Sequence, residues 1–372
     1  MKNGLWRRNE NIQSAIVVGA SLSGLMTGIA LAREGIQVTI VEKAGEQRGH
    51  GGGLRVEEGG FSQSKTERLL RKLASGGKSS VQLWSSIESR MRSEAKADPR
   101  IDLRYGTRVS SVNQDDASAW IETDTGDTIV GDILIGADGH RSVVRHQVAP
   151  HKPDATFAGY MVWMAAVDEN DLPEQYRPDS KAEGVTMLDG GIDSFLFGSI
   201  IDMEQGFSLS GSRRVGCAWY DNSQNELLRR LGCVEGTIVH HSLKGSDIPE
   251  QTLKQLADQA SVKWPEPWAS VTVQAIEAGS IRGIPIKEYI PDNLVNGRIA
   301  LVGDAAHVPA PVTASGFNQS LVDAVTLGKC VAKGIQGSAA IEALMEYESL
   351  RLRNVRRMVQ SGQSFSRSFG RA

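Results

Sequence analysis

An α/β architecture, a parallel sheet flanked by helices and carrying a second β-rich domain and a C-terminal helix, is what the sequence predicts. Three observations predict it. A short apolar strand near the N-terminus runs into a glycine-bearing turn and an apolar helix. Two later apolar strands, at 133–135 and 299–302, each end in a glycine and a carboxylate. Between them, over 157–282, short β-rich runs replace the helical pattern. The 372 residues suffice for two domains. A composition of 40% hydrophobic and 23% charged residues is that of a soluble globular protein. The formal charge of −3, from 41 Lys+Arg against 44 Asp+Glu, argues against nucleic acid as a partner. No apolar run approaches the roughly 18–20 residues of a membrane span. Residues 1–16 lack the apolar stretch of a secretory signal. Three unpatterned cysteines, Cys217, Cys233 and Cys330, predict neither a disulfide framework nor a zinc site and point to a reducing cytoplasm. Glycine is abundant at 40 residues, and where it clusters is informative.

The first cluster opens a nucleotide-binding unit. Ala15-Ile16-Val17-Val18 reads as a buried parallel strand. Gly19-Ala20-Ser21-Leu22-Ser23-Gly24 follows, then an apolar helix closed by Gly35, then a second strand at 38–41 with Glu42 at its carboxyl end and Lys43 beside it. An acidic residue about 20 positions after such a turn is the dinucleotide-binding pattern. Gly19 permits the tight turn, Gly24 lets helix and strand approach, and the helix N-terminus offers free N–H groups to a pyrophosphate. Glu42 can accept from a ribose. The middle glycine of the pattern is Ser21, small enough to keep that approach open. A turn without a ligand is the alternative. The run Gly49-His50-Gly51-Gly52-Gly53 lies between Arg48 and Arg55, both candidates for cofactor contacts, with a surface loop as the alternative for Arg48.

Two more motifs follow. The strand at 133–135 runs into Gly136-Ala137-Asp138-Gly139 and a short helix expected to end at Arg145. The strand at 299–302 ends in Gly303-Asp304; a proline-bearing loop with Pro311 leads to a helix from Gly316 past Asp323. Each places a carboxylate at the carboxyl end of a strand, where open α/β sheets bind ligands. With these three motifs in this order, the chain resembles the FAD-dependent aromatic hydroxylases of the para-hydroxybenzoate hydroxylase type. Its G-x-S-x-x-G turn, Phe157-Ala158-Gly159-Tyr160-Met161-Val162-Trp163, Cys217-Ala218-Trp219-Tyr220 and Thr313-Ala314-Ser315-Gly316 are similar to the 2,6-dihydroxypyridine hydroxylase-like subgroup.

The resemblance implies a Rossmann-like FAD-binding domain and a set of roles. Asp304 would bond the ribityl chain and Pro311 would lie beside the isoalloxazine. The backbone at Gly316, Phe317 and Asn318 would approach the pyrimidine edge, where a helix N-terminus favours an anionic reduced flavin. Asp138 and Gly139 would support the pyrophosphate region and nicotinamide-cofactor binding, with Arg145 as a brace and His307 as pocket architecture. The family's Gly-Gln before Gly316 is Ala314-Ser315 here. The arginine that the family carries on the helix around residues 80–92 is not evident, Ser80 standing at its place with Gln82 close by, and the segment 56–80 is short and polar.

Over 156–282 the expected strands are 160–167, 195–201, 215–220 and 271–276. Trp163, Phe195, Phe197, Trp219 and Tyr220 are candidates for an aromatic pocket or for core. Alternation along a strand lets only one of Trp219 and Tyr220 face the flavin. Arg213 and Arg214 either steer an acidic substrate or are solvated. His240-His241 have no companions for a metal. A helix is expected at about 339–359, and the six arginines from Ser349 onward either complement its solvated end or contact a membrane or nucleotide phosphate. The expected division is 11–155 and 283–338 for FAD, 156–282 for substrate, and 339–372 for the helix. The function implied by the resemblance is hydroxylation of an aromatic or heteroaromatic molecule. FAD, NADPH or NADH, and O2 would serve it through a flavin C4a-hydroperoxide, in a monomer or homodimer. An oxidase or dehydrogenase, or a non-catalytic flavoprotein, are the alternatives.

Overall fold

The computed structural model describes residues 12–46, 52–57, 63–77, 81–202 and 213–370. Arg48, the glycines at 49 and 51, and Ser80 lie outside the described residues. Six strands form the first sheet, in the spatial order Val295–Asn296, Ile299–Leu301, Ile133–Gly136, Ser14–Val18, Gln37–Val41 and Ile101–Arg104. The first pair is antiparallel and the rest are parallel. Their apolar runs are buried on both faces, as parallel sheets require. The helices Leu22–Arg33 and Gly316–Val331 pack on each other over this core. Register matters most here: Val18 and Leu301 both stand opposite Gly136. The three glycine–carboxylate turns therefore leave the sheet at one edge.

The second sheet has eight strands. Gly184–Asp189, Ser194–Asp202, Arg213–Asp221 and Thr156–Asp168 follow one another, and Thr156–Asp168 also pairs with Arg282–Glu288. The pairing of the last two shifts between Phe157 and Met161, where Gly159 takes a φ of 88°. One face of the sheet carries Trp163, Cys217 and Trp219 against the helices Glu250–Lys263 and Trp268–Glu277. The other face carries Tyr160, Val162, Phe195 and Tyr220 against Val312, Phe365 and Phe369.

Three local expectations are corrected. The run at 271–276 is helical, within Trp268–Glu277, although its β-branched residues suggested a strand. Val271, Thr272 and Ala275 are buried together, a helical spacing, and two prolines precede the helix. Arg145 begins the short helix Arg145–Val148, after a single tight turn at Gly139–Arg141. The last helix spans Ser338–Phe369, 32 residues, because its apolar face continues through Val359 to Phe365 and Phe369. An unforeseen helix, Lys65–Ser75, is capped at one end by Ser64, whose Oγ accepts from Glu67 N at 3.1 Å.

Candidate functional site

The site begins at the sheet edge. Gly19 has a φ of 103°, and a Cβ there would stand 2.4 Å from the carbonyl oxygen of Ala137. Gly303 has a φ of 58°, and a Cβ there would meet Ser23 at 2.6 Å. Only glycines let the three turns touch. The helix Leu22–Arg33 starts at Ser21 without a side-chain cap and without an acid in its first turn. Its leading N–H groups at Leu22, Ser23 and Gly24 have no partner within the helix. The helix Gly316–Val331 starts the same way at Ser315. Uncapped, acid-free N-termini at a sheet's ligand edge fit an anionic dinucleotide.

The carboxylates divide by what holds them. Glu42 is 8% exposed. Its Oε2 accepts from Ala20 N and its Oε1 from Ala44 N, each at 2.9 Å. Asp138 is turned inward, accepting from Ser142 Oγ at 2.5 Å and Val143 N at 2.7 Å. Burial pushes its carboxyl up, against those bonds. Asp304 is exposed between buried neighbours, yet the surrounding protein pushes its carboxyl up as well. A side chain that water reaches and protein surrounds is one on the floor of a cleft.

Cations ring that floor. Burial and Arg141 bring Lys287 down to about 8. Burial, Lys287 and Arg141 bring His140 down to about 3, so its ring is neutral at physiological pH. Lys43, exposed beside Glu42, adds to the same field. Arg145 is fully buried and stacks 4.3 Å from the Tyr289 ring centroid. It donates to the carbonyls of Pro153, His140 and Ala305, bracing the Asp138 turn against the Asp304 turn. The local sequence gave no sign of Lys287, which lies on a strand 17 residues before Asp304.

Beneath the floor is a buried charge network. Asp323 Oδ2 accepts from Gly303 N at 3.0 Å and lies 2.7 Å from His307 Nε2, and its Oδ1 accepts from Arg351 Nε at 2.7 Å. Burial alone would raise the Asp323 carboxyl; His307 and Arg351 hold it below the usual range. Asn318 is likewise occupied: its Oδ1 accepts from Glu57 N and its Nδ2 donates to the Arg55 carbonyl. The Arg55 side chain is exposed, and Phe317 is buried in the core. Gly316 is half-buried, leaving its backbone the more accessible one. Ala314, where the family pattern has glycine, is held at a φ of 49°, a left-handed conformation costing a β-carbon about 1–2 kcal/mol.

Above Pro311, which is exposed, lies the aromatic face. Val312 packs against the Tyr160–Tyr220 cluster. The Tyr220 ring stacks on Phe195 at 4.4 Å and 15°. Toward Gly52 the same face continues through Met164, Ala218 and Phe197, which stand in one cross-strand row and are only half-buried. Trp219 is on the opposite face, edge-on to Trp264 at 5.4 Å. Trp163 is there too, its Nε1 donating to Asp221. Neither tryptophan lines the cleft. Arg213 and Arg214 are also committed: Arg213 pairs with Glu169, and Arg214 donates to the Ala166 carbonyl.

Comparison with known proteins identifies the family. The family described as FAD binding domain matches residues 13–82, 67–190 and 235–362. The chain is 27% identical to a 3-hydroxybenzoate 6-hydroxylase of Klebsiella oxytoca, over 96% of this chain and 89% of that protein. It is 24% identical to a 2,6-dihydroxypyridine 3-monooxygenase of Paenarthrobacter nicotinovorans, over 85% and 82%. The solved 2,6-dihydroxypyridine-3-hydroxylase of Arthrobacter nicotinovorans superposes with a TM-score of 0.77 at 20% identity, covering 97% of this chain and 93% of that one. No helix among the described residues is long and apolar enough to cross a membrane. Because the family match and the two hydroxylase relatives each span most of the chain, the chain belongs to the FAD binding domain family and is an FAD-dependent monooxygenase of the aromatic-hydroxylase type.

Proposed function

We propose that this enzyme uses NAD(P)H and O2 to hydroxylate a small planar aromatic or heteroaromatic compound that lies between the Pro311 turn and the aromatic face. The observation that carries this reading is the half-buried row Met164, Ala218 and Phe197, with Tyr220 behind it, facing the turn that follows Asp304. In this reading the helix N-terminus at Leu22–Gly24 takes the pyrophosphate, Glu42 the adenosine ribose and Asp304 the ribityl chain. The backbone at Gly316 addresses the pyrimidine edge. When bound, the flavin supplies hydride acceptance and oxygen activation. The chain's residues orient the substrate ring, exclude water with an apolar wall and hold the fixed charges. The cations around Asp304 draw in the nicotinamide nucleotide. Three buried, unpaired cysteines support a reducing compartment, the cytoplasm. The protein acts as a monomer or homodimer.

The test is product analysis. Purified protein loaded with FAD is given NADPH or NADH and a panel of phenols and hydroxypyridines under 18-O2. One labelled oxygen atom in the product supports the reading. NAD(P)H consumption that yields only hydrogen peroxide with every compound identifies an oxidase instead. A flavin that neither cofactor bleaches identifies a binding protein.

A further inference from the structure

Away from the cofactor cleft, the end of the C-terminal helix, strand residues 156–159 and the turn at Gly236 line an open cavity of about 450 Å³. That volume is ordinary for a small-molecule site. Three features of its lining need explanation.

Glu288 is 5% exposed. Its Oε1 accepts from Ser366 Oγ at 2.6 Å, and Gln363 is its other donor. Both are neutral. Arg367 acts on it only at longer range, and among the described residues it forms no ion pair. A buried carboxylate with neutral partners is costly unless a cation joins it. Burial accordingly pushes its carboxyl up.

The second feature is Asn225. Its Nδ2 donates to the Gly159 carbonyl at 2.8 Å, which fixes the amide's orientation. Its Oδ1 is buried and has no hydrogen-bond partner among the described residues. That acceptor lies behind the wall, out of a bound molecule's reach, and is a local cost of the fold. The third feature is the pair of exposed arginines, Arg229 and Arg367, that line the same cavity. A simple cation would be repelled by them, and a simple anion would meet Glu288. Only a ligand with both charges satisfies the wall and the rim, and Phe157 offers it an apolar side.

We infer that this cavity binds a small zwitterion of the amino-acid type, its ammonium at Glu288 and its carboxylate at Arg229 and Arg367. The site goes beyond the flavin chemistry and does not depend on it.

Calorimetry on the full-length, FAD-loaded protein tests this with three probes: L-phenylalanine, phenethylamine and 3-phenylpropionate. Phenylalanine should bind about tenfold more tightly than either, since each of the other two lacks one charged hydrogen-bonding group. Glu288→Gln keeps the shape of the side chain and should bring phenylalanine down to the affinity of 3-phenylpropionate. Arg229→Gln, at the exposed rim, should bring it down to that of phenethylamine. FAD content and melting temperature report whether each variant is folded, and the arginine variant stands if the glutamate variant does not fold. Equal affinities for the three probes, no binding at millimolar concentration, or phenylalanine affinity untouched by both substitutions would each overturn the inference.

Discussion

Glu42 and Asp304 follow strands separated by two others along one sheet edge, and they should respond differently to removal. Glu42 ties Ala20 N to Ala44 N, so it shapes the turn before any ligand arrives. Glu42→Ala should therefore destabilise the apoprotein by about 1–3 kcal/mol, the cost of buried N–H groups left unpaired, besides weakening FAD. Asp304 faces the cleft, and Asp304→Ala should cost FAD affinity about 1.5–3 kcal/mol while the apoprotein melts nearly as the parent does. Chemical denaturation without FAD and flavin titration separate the two; an apoprotein indifferent to Glu42→Ala would refute the first role. Lys287 makes a pH prediction. Its ammonium, brought down to about 8 by burial and Arg141, is present below that pH and lost above it. The KM for NAD(P)H should rise as pH climbs through about 8, and Lys287→Met should give a high, pH-independent KM over that range. Glu42 was legible because it ends an apolar strand about 20 positions after the first glycine turn, and Asp304 because it follows Gly303 at the end of another. Lys287 was not, because the fold, rather than any local pattern, brings it to the cleft.

At the level of elements, strand alternation sorts the aromatics. Trp219 and Tyr220 are adjacent in sequence and fall on opposite faces of Arg213–Asp221. Trp219→Ala should cost about 3–5 kcal/mol by opening a core cavity against Trp264, with kinetic constants of the surviving fold unchanged. Tyr220→Ala should also cost stability, since its ring is buried on Phe195, and should in addition raise the KM for the aromatic substrate or uncouple NAD(P)H consumption from hydroxylation. The reverse pattern would place the substrate on the helix-covered face. Alternation was readable along 156–168 and 213–221 because both strands are long and mixed in pattern. It failed for 271–276, where β-branched residues favour a strand by local propensity but packing against the sheet selects a helix. The C-terminal helix ran ten residues past its expected end for a related reason. Phe365 and Phe369 are drawn onto Tyr160 and Phe195, and that tertiary contact is invisible to a window that reads one helix at a time.

For the whole molecule, the question is what joins a chain-terminal helix to a turn more than thirty residues earlier. Asp323 is that joint. It holds the amide of Gly303, the His307 ring and the Arg351 guanidinium with both carboxylate oxygens. The arginine was expected in the solvated series that complements the helix end; it is buried because a fully buried carboxylate lies within reach. Removing one partner of a buried pair typically costs about 3–5 kcal/mol, because the other charge is left uncompensated. Arg351→Met should lower the melting temperature of the apoprotein. It should also weaken FAD binding, since the Asp323 carboxylate that fixes Gly303 is no longer anchored from the helix. Linkage requires the converse in the parent protein: whatever FAD gains from an ordered Gly303 turn, the helix gains from FAD. Saturating FAD should therefore slow amide exchange around Arg351 in the parent and do so less in Arg351→Met. If FAD protects the Gly303 turn while exchange around Arg351 stays unchanged, the buried charges are a local brace and the coupling does not exist.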